Sequence, residues 1–76
     1  MSLILYSRKN CQLCDAFEHE LAELVHTKKL SMEKVDVDSL PELQILYGND
    51  VPVLALNEQT ICQHFFDQDK ILKALS

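Results

Sequence analysis

The spacing of apolar residues divides the chain into segments of different period. Leu3-Ile4-Leu5-Tyr6 run without alternation, the pattern of a central strand buried on both faces. The polar stretch Ser7-Arg8-Lys9-Asn10 follows as a loop. From Leu13 the period becomes helical. Leu13, Phe17, Leu21, Leu24, Val25 and Lys28 mark one face, while Glu18, Glu20, Glu23 and His26 fall mostly elsewhere. Lys28-Lys29 suit the negative end of a helix dipole, so the helix is predicted over residues 12–28. Residues 30–37 alternate with a slip between Met32 and Val35, which predicts an edge strand with an irregularity. Ser39-Leu40-Pro41-Glu42 has the form of a capping box. It would open a short helix with Leu40, Leu43, Leu46 and Tyr47 facing inward and Gly48 stopping it. Val51-Pro52-Val53-Leu54-Ala55-Leu56 predicts a strand, Asn57-Glu58 a two-residue hairpin turn, and Thr60-Ile61-Cys62-Gln63 the return strand. Asp67 is placed to cap a last helix whose inner face is Ile71, Leu72 and Leu75.

The resulting order is β-α-β-α-β-β-α, an α/β arrangement in one domain over residues 1–76. Composition narrows the functional classes. A net charge of −5 argues against a nucleic-acid-binding face, which would be basic. The longest apolar runs are four residues, far below the ~18 of a membrane span, so no membrane role is expected. The N-terminus lacks the basic and apolar regions of a signal peptide, which leads to the expectation of a cytoplasmic protein.

The candidate chemistry lies in the cysteines. Cys11, Cys14 and Cys62 are an odd set, unlike a secreted disulfide framework. Cys11-Gln12-Leu13-Cys14 is a Cys-x-x-Cys placed just after the first strand, where it opens the first helix. Residues three apart on a helix are neighbours, so the two sulfurs there can bond. Unpaired amides of the first turn and the helix dipole favour an anion on the outer sulfur. Cys11 is therefore the expected nucleophile and Cys14, one turn in, the resolving thiol. Arg8 and Lys9 add positive charge on the approach side, and Tyr6 stands at the end of the preceding strand, where lining the site and packing are both open roles. A zinc site would need four ligands, and Cys62 with His64 are the obvious extra candidates. On the return strand they would lie away from the dithiol. Cys62 reads as a half-buried strand residue, His19 and His26 as surface residues, and Phe65-Phe66 as the seat of the last helix with one ring exposed.

In this order, the elements and the motifs Leu5-Tyr6, Cys11-Gln12-Leu13-Cys14, Tyr47-Gly48 and Val51-Pro52-Val53-Leu54 resemble those of the glutaredoxins of the thioredoxin superfamily. The likeness is to the short bacterial glutaredoxin-like proteins with Cys-x-Leu-Cys. The resemblance implies a thioredoxin-like, glutaredoxin-type fold, with a four-stranded mixed sheet in order 2-1-3-4 flanked by three helices. It also implies a cis Pro52 facing the dithiol, with the backbone of Val51 pairing with the substrate. The implied activity is thiol–disulfide exchange on a disulfide-containing protein or a small thiol, by a monomer with no bound cofactor or metal. Glutathione or a thioredoxin system would be the reductant. Glutaredoxins hold glutathione with a glycine pair after the Val-Pro strand, whereas Asn57-Glu58-Gln59-Thr60 contains no glycine, so glutathione would be a co-substrate without its usual site. Gln12-Leu13 also departs from the family's dipeptides between the cysteines. A redox-inactive adaptor and a thiol-ligated metal or cluster carrier are the alternatives.

Overall fold

The structure is a computed structural model that describes residues 2–76; Met1, the first residue of the expected domain, lies outside them. The elements are β1 (Ser2–Ser7), α1 (Gln12–Lys28), β2 (Ser31–Asp36), a 3₁₀ turn (Val37–Ser39), α2 (Pro41–Tyr47), β3 (Val53–Leu56), β4 (Gln59–Gln63) and α3 (Gln68–Leu75). The strands form one sheet in the order β2-β1-β3-β4. β1 and β2 are parallel, and the other two pairings are antiparallel. This is the mixed, three-helix arrangement that the resemblance implies.

One face of the sheet carries the main core. Leu3 and Leu5 of β1, Leu54 and Leu56 of β3 and Cys62 of β4 meet Phe17, Leu21 and Leu24 of α1 and Ile71 of α3. In the first turn of α1 it is Cys14, rather than Leu13, that takes the inward place; Leu13 is exposed. The ring of Phe66 meets that of Phe17 edge-on at 5.5 Å, while Phe65 is exposed, so one of the two phenylalanines seats α3. Asp67 caps α3 by accepting the Lys70 N–H at 3.1 Å. α1 ends as expected at Lys28, with Lys29 in the left-handed region.

The other face is covered more thinly. Ile4 and Tyr6 are half-buried, so β1 is not sealed on both sides, whereas all four residues of β3 are buried. Tyr6 stacks on Tyr47 of α2, with ring centroids 4.1 Å apart. Three expectations for this region need correction. β2 pairs with β1 in unbroken register; Met32 and Val35, three apart, lie on opposite faces of this edge strand and are both half-buried, so the slip is a change of face and not an irregularity. Ser39 caps that turn's carbonyl, donating to Asp36 O at 2.6 Å, and Leu40 rather than Ser39 is the N-cap residue of α2. Only Leu43 and Tyr47 of α2 turn inward; Leu40, Ile45 and Leu46 are exposed, because a seven-residue helix reaches the sheet through a single turn. Gly48 ends α2 as expected, in the right-handed region. Its value is room: a Cβ there would run into the Gln44 backbone carbonyl and stand 3.2 Å from the Arg8 guanidinium.

The β3–β4 hairpin turns through Asn57 and Glu58, both at positive φ, as a two-residue turn of this hand requires. Mirror pairing from that turn would set Ile61 opposite Leu54. A bulge intervenes: Ala55 faces Thr60, but Leu54 faces Cys62 and Val53 faces Gln63. The extra residue, Ile61, reverses which side chains point into the core. Cys62 is thereby buried, and the residue after β4 is brought level with Pro52.

Candidate active site

The loop after β1 delivers the dithiol to the mouth of α1. Asn10, at φ 58, adopts the left-handed conformation that asparagine tolerates, and the next residue, Cys11, is extended at φ −113 and ψ 107. Cys11 is the N-cap residue. Its Sγ accepts the Cys14 N–H at 3.1 Å, and its carbonyl accepts the Asp15 N–H at 3.0 Å. The sulfur thus stands where serine or aspartate commonly caps a helix. Cys11 and Cys14 are joined by a disulfide, with Cα atoms 5.2 Å apart. Cys11 is half-buried, whereas Cys14 is 2% exposed. Only the outer sulfur can meet a bulky reactant.

The strand registers bring other residues to the same end of the sheet. Tyr6 pairs with Val53, and Val53 with Gln63, so the end of β1, the start of β3 and the end of β4 are level. The Val51–Pro52 peptide is cis. Pro52 is fully buried and Val51 half-buried, so Val51 is the accessible member of the pair. The Pro52 carbonyl accepts the His64 N–H at 2.8 Å.

His64 was expected on the return strand beside Cys62, away from the dithiol. Instead β4 ends at Gln63, and His64 lies beyond it at φ 70, against Pro52 and with Nε2 3.6 Å from Asp50 Oδ1. Cys62 faces the core instead, and burial pushes its thiol up, so it stays protonated. Among the described residues no group of three or more histidines, cysteines, aspartates or glutamates could hold a metal ion. No helix among the described residues is long and apolar enough to cross a membrane.

Arg8 is placed beside the loop, but its charge is engaged. Nε and Nη2 reach the two carboxylate oxygens of Asp38 at 3.0 Å each, and Nη1 donates to Gly48 O at 3.1 Å. It ties β1 to the 3₁₀ turn and the end of α2. Hydrogen bonding from Arg8 holds the Asp38 carboxyl below its ordinary 3.8. A carboxyl depressed in the folded state contributes stability above its unfolded value and loses that contribution as pH falls through the folded value. Asp38→Asn is therefore expected to lower the urea midpoint at neutral pH. The difference from the wild type should close near pH ~2, and equal midpoints at neutral pH would contradict the clamp.

Lys9 is exposed and lines, with Cys14, a groove of about 450 Å³ on the β2 side of the dithiol. Glu18 and Lys34 close the groove with an ion pair of 3.1 Å. Tyr6 is a packing residue, stacked on Tyr47; burial, first, and the neighbouring Tyr47 push its hydroxyl up. Sequence patterning misplaced His64 and missed the Glu18–Lys34 pair. The spacing of Glu18 four residues after Cys14 was the available signal for the second.

Residues 2–76 match the family described as Glutaredoxin-like domain (DUF836). The chain belongs to that family. It is similar to a glutaredoxin-like protein of Dictyostelium discoideum, with 26% identity over 77 residues that cover 93% of this chain and 71% of the other. A protein of Nitrosomonas europaea has a solution structure that superposes with a TM-score of 0.85 at 35% identity, covering 99% of this chain and 91% of that one. Thioredoxin 1 of Thermosipho africanus superposes at 0.69 with 16% identity, covering 99% of this chain and 90% of that one; that likeness is one of fold alone. Within this glutaredoxin-like family the Cys11–Cys14 pair is close enough to form a disulfide.

Proposed function

We propose that the chain is a thiol–disulfide oxidoreductase working through Cys11 and Cys14. The observation that carries this reading is the sulfur of Cys11 at the N-cap of α1, bonded to the buried Cys14 and hydrogen-bonded by its N–H. When the pair is reduced, the helix end is worth about 0.3–2 kcal/mol to an anion at that point. This favours the thiolate of Cys11 over its thiol. Cys14 has no such position and is covered.

The Cys11 thiolate attacks a substrate disulfide and displaces one thiolate, leaving Cys11 in a mixed disulfide. Cys14 then attacks the Cys11 sulfur, releases the second thiol and leaves Cys11–Cys14 oxidised. The substrate has gained two electrons and the pair has lost two. The half-buried Val51, beside the cis proline, offers its backbone to an extended substrate strand, and Lys9 adds positive charge at the rim. The substrates are a protein disulfide or a small-molecule disulfide, and the reductant is glutathione or a thioredoxin system.

Equilibration of the protein with graded thiol buffers tests the reading. Reversible conversion between dithiol and disulfide, with a potential inside about −270 to −120 mV, is expected. A pair that cannot be cycled by any thiol buffer would overturn it.

A further inference from the structure

The groove beside the dithiol holds more charge than attack by Cys11 uses. Cys14 forms part of its wall and is otherwise sealed in the protein. In the resolving step Cys14 must give up a proton, and burial in apolar surroundings opposes thiolate formation. Its own backbone N–H is spent on the Cys11 sulfur. Cys14 therefore needs a proton acceptor, and the groove is where water reaches it. Six charged residues line that groove: Arg8, Lys9, Asp15, Glu18, Lys34 and Asp36.

Four of them are cations or are occupied. Arg8 is held by Asp38 and Gly48, and Lys9 and Lys34 are donors. Asp36 Oδ1 accepts the Asp38 N–H at 2.9 Å. Asp15 follows Cys14 directly in α1, and successive helical residues do not face each other. Glu18 is one turn below Cys14 on the same face, a spacing that leaves about 5–6 Å between Cβ atoms. Lys34 Nζ holds Glu18 Oε1 at 3.1 Å, while Glu18 Oε2 has no hydrogen-bond partner among the described residues. The carboxylate is fixed from β2 and still has an acceptor to offer.

We propose that Glu18, oriented by Lys34, is a positioning residue that receives the Cys14 proton through groove water during resolution. The inference rests on the redox reading of the pair. The Cys14 S–H bond breaks and its proton passes to Glu18. The electron pair left on sulfur forms the Cys14–Cys11 bond as the bond from Cys11 to the substrate sulfur breaks. The departing thiolate takes the electrons of that bond and then the proton from Glu18. The substrate disulfide is the only oxidant needed. A structural role for the ion pair predicts little, because the Glu18 and Lys34 side chains are 34% and 53% exposed and such pairs hardly stabilise a fold.

The test uses the reduced full chain with Cys62→Ala, so that only the pair reports, and an aromatic disulfide that releases coloured nitrothiobenzoate. Rapid mixing resolves two releases, the first from attack by Cys11 and the second from resolution by Cys14. In Glu18→Gln the ratio of the second rate to the first is expected to fall by about 100-fold at neutral pH, the low end of what a positioned base contributes. The second phase should also become steeply pH-dependent, and Glu18→Asp should restore part of the ratio. A folded Glu18→Gln protein whose ratio stays within about twofold of the parent, with the same pH profile, overturns the proposal. Should that variant not fold, Lys34→Met gives the same reading: a lowered ratio supports the proposal and an unchanged one refutes it. Failure of the parent protein to show either release would refute the redox reading itself.

Discussion

A Cys11→Ser protein is expected to show no disulfide exchange above the uncatalysed background. The reason is in the placement of the sulfur. Cys11 Sγ is at the helix N-cap, accepts an N–H from one turn further on, and is the accessible member of the pair. A serine hydroxyl would accept the same hydrogen bond, and would cap the helix as well or better. It cannot supply a nucleophile, since a hydroxyl stays protonated where a thiol ionises. The variant should thus fold at least as well as the parent and be inert. Cys14→Ser should behave differently. The outer thiolate still attacks, but nothing resolves the product, and a stable mixed disulfide accumulates that mass spectrometry detects. Equal and full turnover of both variants would refute the division of labour between the two cysteines.

Phe17→Ala is the substitution expected to cost the fold most. Phe17 is 1% exposed, is the largest of the fully buried side chains, and joins α1 to both sheet and Phe66. Truncation of a buried phenylalanine costs about 3–5 kcal/mol through lost burial and the cavity left behind. A domain of 76 residues has a total stability of roughly 4–11 kcal/mol at ordinary per-residue values. The variant should therefore be close to unfolding at room temperature, with a urea midpoint lowered by about half or more. A loss below ~1 kcal/mol would mean that α1 is not held to the sheet as described. Since α1 carries the dithiol at its mouth, exchange activity should fall with the folded fraction.

Much of this architecture was legible in local patterns. The change of period at Leu13, the left-handed capacity of Asn57 in a two-residue turn and the cap at Asp67 are each short-range signals, and each element lies where its signal put it. The placement of the dithiol followed from the same reading. What escaped is non-local. The bulge at Ile61 arises from fitting β4 against β3 over a filled core, and nothing within Thr60–Gln63 announces it. It alone moved Cys62 inward and His64 up to Pro52. Arg8 reaches Asp38 across 30 positions, so its pairing was invisible to a pattern that reads neighbours. The amphipathic pattern of α2 overstated its burial, because Leu40 and Leu46 have no partner layer to cover them. The capping-box motif failed because Ser39 belongs to the 3₁₀ turn and donates its hydroxyl back to Asp36 O, which leaves Leu40 at the N-cap of α2.

The most direct test of the account is the pH dependence of alkylation of the fully reduced protein, with the modified cysteine identified by peptide mass. The structure predicts that Cys11 is labelled first and that its rate rises with a midpoint clearly below the free-cysteine value of about 8.5, with Cys14 and Cys62 reacting far more slowly. A midpoint at or above that value, or labelling of Cys14 before Cys11, would contradict it.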